Sequence, residues 1–136
     1  MKKKFCLLIV LAFVFASMAQ FSVLASDIMP LNNNTNLTKT RFSISDTGEA
    51  VVSLNFEGYP NVTTGATISI KIEKRNFLLF WTDVLEETIT VNNYYYASAF
   101  HYQLEDSGTY RCTVEYVISG TGGADDVITF DDEQKY

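Results

Sequence analysis

The chain has 136 residues, 47% of them hydrophobic, with 16 acidic side chains against 10 basic ones and a formal net charge of −6 at pH 7. That balance disfavours binding to phosphate backbones and to anionic lipid. A single histidine and two cysteines leave few groups for hydrolytic or metal chemistry.

The first segment has the layout of a secretory signal. Lys2, Lys3 and Lys4 form a cationic start, and Phe5 to Ala19 is an almost unbroken apolar run. Gln20 and Ser22 interrupt it before it reaches the about 20 apolar residues that a membrane-spanning helix needs. Val23-Leu24-Ala25 carries small side chains at the positions signal peptidase reads, so cleavage is expected between Ala25 and Ser26, with Ala19 as the competing site. Residues 1–25 are thus read as the signal peptide. The released chain would be secreted, extracellular or in the cell envelope, without a membrane span. Cleavage removes Cys6 and three lysines, leaving seven basic against 16 acidic residues, a net charge of −9. Cys112 then has no partner for an internal disulfide, and one domain must hold together by its core alone.

Residues 26–37, with Pro30 and Asn32-Asn33-Asn34, read as a flexible Asn-rich arm, and 38–136 as the folded domain. From there the hydrophobic period is close to two, the mark of strands with one buried face. Phe42 and Ile44 alternate with polar neighbours up to the turn Asp46-Thr47-Gly48. Val52, Leu54 and Phe56 form the next run, ending at Gly58-Tyr59-Pro60, and Ile68, Ile70 and Ile72 the cleanest one. Phe77 to Val84 then loses the period, being apolar at five successive positions. Thr88 to Val91 and Tyr94 to Leu104 are further strand candidates. Tyr110, Cys112, Val114, Tyr116 and Ile118 alternate over a long strand, and after a glycine-rich turn Val127 to Phe130 completes the set, followed by an acidic tail, Asp131-Asp132-Glu133, expected in water. About seven short strands separated by turn signals, with no stretch of helical spacing, predict an all-β sandwich of antiparallel strands.

Leu104-Glu105-Asp106-Ser107-Gly108-Thr109-Tyr110-Arg111-Cys112 resembles the tyrosine corner that leads into strand F of immunoglobulin domains, an Asp-x-Gly-x-Tyr-x-Cys pattern. Asp106 and Gly108 suit the tight turn between sheets, and Tyr110 sits two residues before Cys112 with its hydroxyl free to reach back to the chain. The resemblance implies a single immunoglobulin-like sandwich. The strand-B cysteine of that family is missing, Leu54 being the expected occupant of its place, and Cys112 would pack as a small apolar side chain. The whole layout is similar to small exported proteins of Gram-positive bacteria with one immunoglobulin-like domain, which implies a location and a fold but no reaction.

No catalytic residues, cofactor or metal site are predicted. His101 lies mid-strand without an adjacent nucleophile, and the acidic residues around the last strand lack the spacing of a calcium loop. What remains is a binding surface: Phe77-Leu78-Leu79-Phe80-Trp81 and Tyr94-Tyr95-Tyr96 cannot all point inward if their strands have one wet face. Phe80, Trp81 and Tyr95 are the candidates, either as core or as a ligand face, for a protein or carbohydrate at the cell surface. The expected function is that of a non-enzymatic interaction module. The alternative is a secreted antimicrobial or signalling effector whose activity resides in the arm before Thr38.

Overall fold

A computed structural model describes residues 32–136, and every regular element among them is a β-strand. The expected cleavage point at Ala25 and Ser26 lies outside the described residues. The strands are β1 (Thr35–Ile44), β2 (Glu49–Gly58), β3 (Thr63–Arg75), β4 (Trp81–Val91), β5 (Tyr95–Gln103), β6 (Thr109–Gly120) and β7 (Asp126–Lys135). All five pairings are antiparallel, in a three-stranded sheet β1-β2-β5 and a four-stranded sheet β4-β3-β6-β7. The chain changes sheet between β2 and β3, again between β4 and β5, and again between β5 and β6. This is an immunoglobulin-like sandwich in which the fourth strand pairs beside the third.

The period of two explains the packing. Phe42, Val52, Leu54 and Phe56 from one sheet meet Ile68, Ile70, Ile72, Cys112, Val114, Tyr116 and Ile118 from the other, all essentially without solvent contact. The Phe56 and Tyr116 rings meet edge to face with centroids 6.5 Å apart, and the Tyr116 hydroxyl shares a 2.7 Å hydrogen bond with Thr40 of β1. Leu54 is buried on β2, as are Val52 and Phe56 on the same face. At the corner before β6, the Tyr110 hydroxyl donates to the Asp106 carbonyl at 2.5 Å, and Gly108 exchanges two backbone hydrogen bonds with Tyr136. The Tyr136 ring lies over Gly48, where a Cβ would stand 2.6 Å from it and φ is +81°, so only glycine fits there.

The domain boundary expected at Thr38 is too late. β1 starts at Thr35, not near Arg41, and Asn34 and Thr35 are fully buried. The Asp126 carboxylate accepts hydrogen bonds from the Asn33 and Asn34 backbone N–H groups at 2.9 and 2.7 Å, while the Asn34 side chain donates to Ala124 and accepts from Gly122. Asn-rich composition predicts flexibility; here the amide supplies the donors and acceptors that a loop crossing needs. Gly122 permits the approach, since a Cβ there would lie 2.1 Å from the Asn33 carbonyl oxygen. The acidic segment Asp131-Asp132-Glu133 is likewise no tail but part of β7, paired with Thr113, Cys112 and Arg111.

Candidate functional site

The run Phe77 to Phe80 is not a strand. β3 and β4 pair as far as Arg75 and Trp81, and residues 76–80 form the hairpin loop between them. Asn76 builds the loop: its backbone N–H donates to the Phe80 carbonyl at 2.9 Å, its carbonyl accepts from Leu79 at 3.0 Å, and its side-chain Oδ1 accepts from the N–H groups of Leu78 and Phe80 at 3.0 and 3.1 Å. This is a tight turn closed by a residue in the left-handed region, a position where glycine is usual. Here it is Leu79, with φ of +65°. A bulky residue in that conformation costs about 1–2 kcal/mol.

The side chains on this loop lie in water. Phe77 is 90% exposed, Leu78 58%, Leu79 71% and Phe80 67%. Taking roughly 200 Å² for an aromatic side chain, the two phenylalanine rings alone present roughly 300 Å² of apolar surface. Patches of a few hundred Å² on one small protein mark contact sites. Lys74, Arg75, Asn76, Phe77, Thr82 and Val84 line a groove of about 420 Å³ at the base of the loop.

Trp81 is placed differently from its neighbours. It lies on the outer face of the four-stranded sheet, half-buried, with the Arg111 guanidinium 4.4 Å and the Arg75 guanidinium 5.8 Å from its ring centre. Arg111 is itself held by the nearly buried Glu73, which accepts from Nε at 3.0 Å and Nη2 at 2.6 Å. The indole thus supports the base of the hairpin and is not a free anchor.

The structure does not bring Tyr95 into this site. Phe80 and Trp81 stand at one end of β4 and Tyr95 follows the other end, at the far side of the sandwich and in the other sheet. The ten residue steps from Trp81 to Val91 span about 33 Å. Expectation grouped these aromatics because alternation tells which face a side chain takes, not where along the sheet it lies. The signal that could have separated them was Asn76, a turn residue at the head of the apolar run.

Other groups singled out for their chemistry have ordinary settings. His101 shares a hydrogen bond with exposed Glu49 at 2.9 Å on the outer face of the three-stranded sheet. The Cys112 thiol is buried, and that burial, reinforced by Asp132 and Asp131, pushes its pKa up to about 12, so it is protonated at neutral pH. Among the described residues no group of three or more His, Cys, Asp or Glu side chains is arranged to hold a metal ion. Comparison of the chain with protein-family models, with curated proteins and with solved structures returned no match.

Proposed function

We propose that this protein is an exported, non-enzymatic interaction module whose contact element is the tip of the β3–β4 hairpin, docking into an apolar cleft of another protein. One observation carries the reading: four consecutive large apolar side chains project into water from a loop that Asn76 holds closed, with Leu79 kept in a strained conformation where glycine would be relaxed. Strain retained at an exposed position favours a role for the side chain that pays it. Leucines at the centre of the tip suit a protein cleft better than a sugar ring, which stacks on flat aromatic faces. The effector alternative loses support because Asn33, Asn34 and Thr35, in the arm to which it assigned activity, are bound into the fold by Asp126 and the β6–β7 loop.

The test is a double variant, Phe77→Ser with Leu79→Ser, compared with the parent in crosslinking to the surface of the producing cells. Equal thermal stability with loss of the crosslinked species supports the proposal. Retention of that species, or turnover of ester, glycoside or peptide substrates by the parent protein, overturns it.

A further inference from the structure

The two sheets have four edge strands, and three of them carry the features by which proteins resist pairing with other strands. β4 carries Asp83, Glu86 and Glu87 and a register shift in its pairing with β3. β7 carries Asp131, Asp132 and Glu133, and β1 carries Lys39 and Arg41, a register shift at its start, and the clasp to Asp126. β5 has none of these. Tyr95 to Phe100 contains no charge, no proline and no glycine, and its register with β2 runs through nine pairs without a break.

The unpaired groups on this edge can be identified. The ladder between β2 and β5 is flanked by two hydrogen bonds, from Gly58 N–H to the Tyr94 carbonyl at 2.7 Å and from Leu104 N–H to the Gly48 carbonyl at 2.9 Å. Hydrogen-bonded pairs alternate along an antiparallel ladder. Between residues 94 and 104 the even-numbered residues therefore bond to β2, and Tyr95, Ala97, Ala99, His101 and Gln103 turn their N–H and C=O groups away from it. Among the described residues no other strand pairs with β5. The same odd-numbered residues are solvent-exposed.

We infer that the free edge of β5 is a docking site for an extended segment of another protein, which adds to the three-stranded sheet as a fourth strand and carries basic side chains. Charge selects this occupant. β5 and β4 lie on the same flank of the sandwich, where Tyr102 and Val84 line one cavity. Glu87 sits opposite inward-facing Ile70, is exposed, and makes no ion pair among the described residues. A strand added beside β5 passes this carboxylate, and a lysine or arginine on its inner face would pair with it. A second copy of the chain would instead bring its own unpaired Glu87 against the first, Asp83 and Glu86 being already paired with Lys71. This edge is separate from the hairpin tip, and the inference does not rest on that site.

The probe is a capped nine-residue peptide of alternating valine and lysine, matching the nine residues of β5. Three measurements decide the matter: its binding to the parent protein, its binding to Ala99→Pro, and the binding of its fully N-methylated form to the parent. Proline at residue 99 removes an outward donor and none of the bonds to β2. Expected are saturable binding to the parent, about tenfold weaker binding to Ala99→Pro, and no binding of the N-methylated peptide, which keeps every side chain and lacks every backbone N–H donor. Slowed hydrogen exchange at Ala97, Ala99 and His101 on adding the peptide is the accompanying signature. Equal binding of the N-methylated peptide, unchanged affinity in a folded Ala99→Pro, absence of saturable binding, or a dimer of the parent that Ala99→Pro dissolves would each overturn the inference. The N-methylated arm needs no variant, so misfolding of Ala99→Pro leaves the test intact.

Discussion

Replacing Leu79 by alanine and by glycine inverts the usual order of those two residues. Leu79 is 71% exposed and outside the core, so truncation to alanine removes little packing. Alanine retains a Cβ, however, and still bears the cost of the left-handed conformation at φ of +65°. Glycine is free of that cost, about 1–2 kcal/mol, and gives back roughly 0.5–1 kcal/mol through the greater freedom of its unfolded chain. The balance leaves glycine the more stable by about 0.5–1 kcal/mol. For a domain of this size that is about 3–5 °C in Tm, readable by calorimetry or by circular dichroism during heating. Both variants lose the leucine side chain and should lose affinity for the hairpin's partner alike. Glycine measuring less stable than alanine would refute the strained-loop argument, because glycine normally ranks below alanine where φ is negative.

Three further outcomes follow from the framework that holds the sheets together. Tyr110→Phe deletes the hydroxyl that closes the corner onto Asp106 and should destabilise the domain by about 1 kcal/mol in urea titration; no loss would assign Tyr110 to packing alone. Asp126 is held below the usual carboxylate range of 3.8: burial raises its pKa, but the N–H groups of Asn33 and Asn34 outweigh it by stabilising the anion. Its contribution is therefore complete above pH 3.8 and is lost as pH falls below it, so Asp126→Asn should cost about 1.5–3 kcal/mol at pH 7 and flatten the acid limb of a stability–pH curve. An unchanged acid limb would place the decisive carboxylate elsewhere. Cys112, with its thiol pKa at about 12 and no exposed surface, should resist thiol reagents at pH 8 in the native protein and react on unfolding; rapid native labelling would contradict its burial.

Period-two alternation needs nothing beyond the order of residues, and so the all-β class, the inward set from Phe42 to Ile118 and the corner at Asp106 to Cys112 are all legible in the sequence. Each follows from a strand's geometry, in which neighbouring side chains take opposite faces. Only the tertiary structure decided matters that depend on distant segments meeting. The Asn-rich stretch became a clasp because Asp126, 92 residues from Asn34, lies beside it. The apolar run 77–80 became an exposed tip because β3 and β4 are in register up to Arg75 and Trp81, leaving it outside the core. Strand order in the sheets, invisible to local pattern, left β5 as an uncharged edge. Alternation determined which face each side chain takes, and pairing between strands far apart in the chain determined which of those faces and edges remain open to a partner.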